Sequence, residues 1–437
     1  MDNLHIDRLW NSIETVLRED GSRDLFVGVY HDLFRQFMRS RTSYIPENSL
    51  AEPGSFPTLD QLTTYRNLGR ALRPKAVCIK LNGGLGTTMG LTGPKGLLEV
   101  REKLSLLSMA CYQSFCARVP LLLMNSYRTE KATGEHLASC LDESGVPLPG
   151  GFLQNRAPRL DADTGFPLGR DYGEDRWCPP GHGDLYTALH ATGALQHLLD
   201  HGYRYAFVSN IDNCGATFCD EILGLLASKK MPFLMEVTER TPADAKGGHI
   251  CRRSSDGQLM LRERAQVSQE DTNDFLDIEK HRLFNSNNLW LDLRVLAKQR
   301  KLAASLPLIV NEKFVGDSGG KSQRVIQLET AMGAALAELK SASAIEVPRT
   351  RFAPIKHLAD WISVQSDQYR LTEQYLLERT NKHQLCSILL DESINSVEDI
   401  KKMFPDQLPS LRRCQQVEFT GRVTAWSDST LLGDLRL

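Results

Sequence analysis

From about residue 75 the sequence alternates short apolar runs with longer amphipathic stretches, and this alternation limits the fold more than any other feature. Candidate strands cover 76–81, 120–124, 205–209, 233–237 and 289–293. Candidate helices cover 104–117, 129–141, 185–199, 220–229 and 330–339. Strands interleaved with helices predict an α/β domain built on a mostly parallel, doubly wound sheet. Such sheets bind ligands beyond the carboxyl ends of their strands. The main polar motifs follow candidate strands.

The flanks read differently. In the first 70 residues Phe26, Val29, Tyr30, Leu33, Phe34 and Phe37 recur at three- and four-residue spacings, which makes one helix face. Residues 44–57 hold three prolines and a glycine and read as a loop. At the other end Val417, Phe419, Val423 and Ala425 alternate, which suggests β structure, with turns at Gly421 and Gly433. A length of 437 residues is ample for a buried core and for two to three domains.

Composition narrows the function. Hydrophobic residues at 41% and charged residues at 24% exclude bulk disorder. With 52 Lys plus Arg against 54 Asp plus Glu, the net charge of −2 argues against a nucleic-acid coat and for no nucleic-acid partner. No apolar run reaches the ~18 residues of a membrane span. Residues 1–18 carry Asp2, Asp7 and Glu14 with no apolar core, so no secretory signal is expected. Ten cysteines form no CxxC pair, which removes zinc-ribbon and thioredoxin readings. They read as buried free thiols of a reducing, cytoplasmic protein.

The strongest chemical signal is residues 80–98, KLNGGLGTTMGLTGPKGLL. A strand runs into a glycine- and hydroxyl-rich loop that ends at Pro94-Lys95, before an expected helix. Successive backbone N–H groups of such a loop can face an anion, and Lys95 adds a point charge. A triphosphate is the natural guest. The spacing fits neither a Walker A loop nor a Rossmann fingerprint, whose third glycine would fall at Met89.

Two further motifs stand near candidate strand ends or helix starts. Residues 179–184, PPGHGD, fix one imidazole, His182, on bare backbone, with Asp184 able to cap the helix that follows. Residues 208–217, VSNIDNCGAT, place Asp212 between amides, which suits a Mg2+ ion that keeps most of its ligands as water and phosphate. Weaker candidates are Gln154 with Asn155 and Arg156, the turn at 246–249, the amides of 285–288, and Lys356 in the basic, proline-rich stretch 347–356. His190 and His281 read as ordinary.

Residues 316–320, GDSGG, imitate a serine-protease motif, and 320–322 imitate the end of a Walker A loop. The alternating α/β texture contradicts a trypsin-like barrel, and Val315 occupies the position of the first Walker glycine, so a plain loop is expected. No HExxH or histidine cluster supports a zinc hydrolase.

In order along the chain, KLNGGLGTTMGLTGPKGLLEV, LLMNSYRTE, FLQNRAPRL, PPGHGDLYTAL, VSNIDNCGAT, KGGHI, FNSNNLWL, QLETAMGAAL and VPRTRFAPIK resemble the eukaryotic-type UTP–glucose-1-phosphate uridylyltransferases, or UDP-glucose pyrophosphorylases. The resemblance covers about residues 25–437. The related UDP-N-acetylhexosamine enzymes favour an AGGQGTR opening where this chain has NGGLGTT. The resemblance implies a Rossmann-like nucleotidyltransferase, with a mixed, mostly parallel sheet flanked by helices. It implies a helical segment at 1–70, a catalytic domain at 71–345, linking helices that carry Lys356 at 346–410, and a short β-helix-like tail at 411–437. It also implies that UTP and glucose 1-phosphate give UDP-glucose and pyrophosphate with Mg2+.

By motif, Leu81, Gly83 and Gly84 would line the uridine site, with Asn82 among the substrate-binding residues. Gln154 and Gly181 would read uracil, and Lys95 and Lys356 would hold phosphates. Asp212 would hold the metal, and His182, Asn210, Gly248, Asn285 and Asn287 would approach the sugar phosphate. His249 stands where the family often has Thr. The partners implied are these small molecules alone, with no membrane, in a monomer or small homo-oligomer. Another UDP-sugar or UDP-N-acetylhexosamine pyrophosphorylase, or a catalytically silent UTP- or UDP-sugar-binding subunit, remain the alternatives.

Overall fold

The computed structural model describes residues 3–40, 43–101, 103–141, 145–316, 322–380, 385–405, 407–420 and 430–436. The chain forms two units, each discontinuous in sequence. The first comprises Met1–Ile79, Gly151–Val208 and Cys219–Pro348; the second comprises Lys80–Gly150, Ser209–Phe218 and Arg349–Leu437. The strands Ala76–Asn82 and Tyr205–Asn210 begin in the first unit and end in the second.

Ten strands belong to a mixed, mostly parallel sheet flanked by helices, as the resemblance implies. In the first unit its order is Leu50–Ala51, His249–Arg253, Leu283–Asp292, Tyr205–Asn210 and Ala76–Asn82. Phe233–Glu239 pairs antiparallel with Leu283–Asp292 and parallel with Ser343–Glu346. Val77, Ile79, Ala206, Val208, Leu234 and Met235 have essentially no exposure, so these strands are buried on both faces rather than on alternate residues. Leu121–Asn125 follows Ala76–Asn82 in the strand order.

The N-terminal helices are Asn3–Glu19 and Asp24–Arg39. All six periodic residues of the second are buried, each contributing roughly 1.5–3 kcal/mol relative to exposure. Near the other end Ser387–Leu390, Ser410–Phe419 and Thr430–Arg436 form a three-stranded parallel sheet. Val417 and Phe419 are buried as alternation requires, and Leu411 and Cys414 precede them at intervals of three. Gly421, Val423 and Ala425 lie outside the described residues, as does most of the 316–320 motif.

Several elements differ from expectation. The helix expected at 185–199 is two helices, Asp184–Ala191 and Ala194–Asp200, broken at Gly193 with φ 81°. Residues 104–105 are a short strand, and Ser105 Oγ caps the helix Leu106–Ala117 by accepting from Ser108 N at 3.0 Å. Pro94-Lys95 opens a single 3-10 turn, Lys95–Leu97, and the strand Glu99–Arg101 follows in place of a helix. Residues 330–339 form only the 3-10 segment Met332–Ala337. Among the described residues no helix is long and apolar enough to cross a membrane.

Candidate active site

The glycine-rich loop and the two phosphate candidates belong to the second unit. Leaving Asn82, the loop turns back on itself: Leu85 and Pro94 form an antiparallel bridge, and Lys95 N donates to Gly84 O at 3.0 Å. Gly84 is exposed, and Leu81 and Gly83 are half-buried. Asn82, 1% exposed, faces inward and donates through Nδ2 to Asn125 Oδ1 at 2.8 Å and Thr133 Oγ1 at 3.0 Å. The Asn82 side chain therefore braces the loop root, whereas the backbone of 83–84 stays accessible.

The doubling-back of the loop brings Lys95 Nζ to 2.7 Å from Asp212 Oδ2, with both side chains mostly buried. Asp212 Oδ1 is buried and has no hydrogen-bond partner. Among the described residues no group of three or more His, Cys, Asp or Glu side chains gathers to hold a metal. A Mg2+ ion needs only one or two carboxylates beside water and phosphate, so a single orphaned carboxylate oxygen fits it. Asn210, half-buried, ends the strand two residues before Asp212. Lys356 is exposed, its backbone N donates to Asp360 Oδ2 at 2.8 Å, and its Nζ lies 5.5 Å from the centre of the Phe352 ring.

In the first unit Pro180–Gly183 lies against residues 329–332: Thr330 N donates to Pro180 O at 3.1 Å and Gly183 N donates to Thr330 O at 2.8 Å. Gly181 has φ 80°, and a Cβ there would stand 2.4 Å from Thr330 O, so this turn requires glycine. Met332 N donates to His182 Nδ1 at 3.0 Å, which leaves the proton of a neutral imidazole on Nε2. Burial pushes the His182 pKa down to about 4, so near neutrality this side chain offers an uncharged N–H donor.

Asp184 does not cap its helix as expected. It is the first helical residue, and its carboxylate accepts from Asn155 N at 2.6 Å and Asn155 Nδ2 at 2.8 Å. Burial lifts this carboxyl to about 7 against the opposing pull of the Asn155 bonds. The pairing holds the segment that carries Gln154, a half-buried residue, beside the one that carries His182.

The sugar-side candidates are also in the first unit. Asn285 and Asn287 lie within the strand Leu283–Asp292. Opposite Glu236 and Val237 the register slips, and Asn287 takes a left-handed φ of 58°. Asn285 Nδ2 donates to Asn287 Oδ1 at 2.7 Å, and Asn287 N donates to Asn285 Oδ1 at 2.9 Å. Asn285 N donates to Gly248 O at 3.0 Å, so these candidates form one hydrogen-bonded group. Buried Glu236 anchors the bulge by accepting from Asn288 Nδ2 at 3.0 Å and Trp290 Nε1 at 2.9 Å. The sequence reading missed Glu236, because nothing local marks a strand carboxylate as the partner of residues ~50 positions away.

Beside this group His249 is fully buried and stacks on His281 with ring centres 3.7 Å apart. His281 Nε2 lies 3.1 Å from Glu47 Oε1. Burial holds both below the usual imidazole range.

The profile of the UTP–glucose-1-phosphate uridylyltransferase family matches residues 27–431. The uridylyltransferase of that name from Hordeum vulgare is 36% identical over 404 residues, covering 90% of this chain and 81% of that protein. The one from Saccharomyces cerevisiae is 38% identical over 371 residues, covering 82% and 73%. A variant UDP-glucose pyrophosphorylase from Leishmania major, crystallised in complex with UDP-Glc, shares a TM-score of 0.88 at 35% identity and covers 98% of this chain and 94% of that one. A UDP-glucose phosphorylase structure from Trypanosoma brucei gives 0.86 at 34% identity with the same coverage. Motif order, fold and relatives agree, and the chain belongs to the UTP–glucose-1-phosphate uridylyltransferase family.

Proposed function

We propose that this chain transfers the uridylyl group of UTP to glucose 1-phosphate, forming UDP-glucose and releasing pyrophosphate. The observation that carries the reading is the Lys95–Asp212 pair where the glycine-rich loop closes, in a chain of this family. A phosphate oxygen of the sugar attacks the α-phosphorus of UTP in line, and the bond to the pyrophosphate breaks. That oxygen is already anionic near neutrality, so no general base is required. The protein's work is alignment and charge compensation.

The residue roles are those that the resemblance to the family implies. The open backbone of Gly83 and Gly84, with Leu81, receives the nucleotide, and Asn82 holds the loop in shape. Gln154 and Gly181 face uracil. Lys95 and Lys356 balance phosphate charge, and His182 donates from Nε2 as a neutral group. Asn210, Gly248, Asn285 and Asn287 hold the sugar phosphate. Asp212, through its free Oδ1, would hold Mg2+, which when bound supplies further compensation of phosphate charge.

Ten free cysteines support work in the reducing cytoplasm. The assembly we propose is a monomer or small homo-oligomer, which light scattering tests directly. The function itself is tested by pyrophosphate release from UTP with glucose 1-phosphate, beside galactose and N-acetylglucosamine 1-phosphates. Release with glucose 1-phosphate alone supports the reading. Release only with another sugar would change the substrate, and UTP binding without release would remove the enzyme.

A further inference from the structure

Two segments of the second unit, far apart in sequence, are laced together by backbone bonds. Asn213 and Pro354 form an isolated antiparallel bridge. On its two sides Cys214 N donates to Ala353 O at 3.1 Å, and Ile355 N donates to Asp212 O at 3.0 Å. One segment thus carries Asp212 and the other carries Lys356, immediately after Ile355. Gly215 lies so close to the second segment that a Cβ would stand 2.4 Å from Thr350 O.

One side chain completes this junction. Asn213 is 2% exposed. Its Oδ1 accepts from Ala353 N at 2.9 Å and, within its own loop, from Gly215 N at 3.1 Å. Its Nδ2 donates to Arg351 O at 3.3 Å. Arg351, 7% exposed, donates through its guanidinium in the other direction to Thr217 O at 2.8 Å. A single amide therefore satisfies backbone groups on both segments, which a purely apolar side chain of similar size could not do.

We infer that Asn213 is a positioning residue for uridylyl transfer, fixing the register between the segment that carries Asp212 and the segment that carries Lys356. The inference rests on the reading that these two residues serve the phosphates. Asn213 acts through them. Losing its amide leaves two backbone N–H groups without their acceptor and lets the segments shift. Displacements on the order of 1 Å can cost about 10²-fold in rate.

The test is a double-mutant cycle on the full-length chain, reading kcat for pyrophosphate release at saturating UTP, Mg2+ and glucose 1-phosphate, with Tm for each variant. Asn213→Ala is expected to lower kcat by about 10- to 100-fold, and Lys356→Ala by about 10²–10³-fold. If Asn213 acts partly through Lys356, the double variant falls short of the product of the two losses by more than about threefold. Losses that multiply to within about threefold overturn the inference while leaving the proposed function intact, as does Asn213→Ala with kcat within about twofold of wild type. Should Asn213→Ala fail to fold, Asn213→Ser, which retains a hydroxyl, takes its place in the same cycle. A wild-type chain that releases no pyrophosphate, or Lys356→Ala as fast as wild type, overturns the inference together with the reading beneath it.

Discussion

Lys95 Nζ lies 2.7 Å from Asp212 Oδ2, with 13% and 16% of the two side chains exposed. The ammonium keeps the loop end and the strand end together, while Asp212 Oδ1 is left without a partner. Lys95→Ala removes the cation and leaves a mostly buried carboxylate uncompensated. The expected result is a rate lower by about 10²–10³-fold together with a lower Tm. Added Mg2+ is expected to raise the Tm of this variant more than that of wild type, because Asp212 has lost its counterion. Thermal melts with and without Mg2+ decide this, and equal shifts would separate Asp212 from the metal.

Lys356 provides the cleaner contrast, because its side chain is exposed. Lys356→Ala is expected to leave Tm unchanged while kcat falls by about 10²–10³-fold. A rate near wild type would take Lys356 out of the phosphate site.

His182 gives a pH signature. Its folded pKa is depressed to about 4 from the ordinary 6.5 by burial. Between those values the unfolded chain takes up a proton that the folded chain refuses, so stability present above pH 6.5 is lost as pH falls toward 4. The loss is on the order of a few kcal/mol. His182→Gln removes this titration, so its Tm should fall less steeply than that of wild type across the window. Parallel profiles would show that His182 titrates normally.

Asn287 holds a left-handed backbone and exchanges hydrogen bonds with Asn285. Asn287→Gly keeps the backbone free to adopt that φ but removes the amide. KM for glucose 1-phosphate is expected to rise about tenfold or more, with KM for UTP little changed. Asn287→Val adds strain on the order of 1–3 kcal/mol and should lower Tm as well. Steady-state kinetics with each substrate varied in turn distinguishes the two effects. Equal rises in both KM values for Asn287→Gly would remove Asn287 from the sugar side.

What the sequence made legible was local. Ala76–Asn82 and Tyr205–Asn210 are short, mostly apolar runs that stop at polar residues, and both strands appear within a residue of where the pattern places them. The glycine-rich loop is visible for the same reason. The strand Leu283–Asp292 was legible only from residue 289, because its first half is polar and its partners come from Glu236, on another strand. Gly193 looks like a tolerable helix glycine until its φ of 81° is known. For the candidate site, the residue types could be read, but the pairings could not. Lys95 and Asp212 are 117 positions apart, and Asn213 and Ala353 are 140. No local pattern encodes such partners.

The central claim is uridylyl transfer to glucose 1-phosphate. It is tested most directly by mixing the purified chain with UTP, Mg2+ and glucose 1-phosphate and following pyrophosphate, with the galactose and N-acetylglucosamine analogues in parallel. The account requires rapid release with glucose 1-phosphate and little with the other two. Release with none of the three, from protein that still binds UTP, would contradict it.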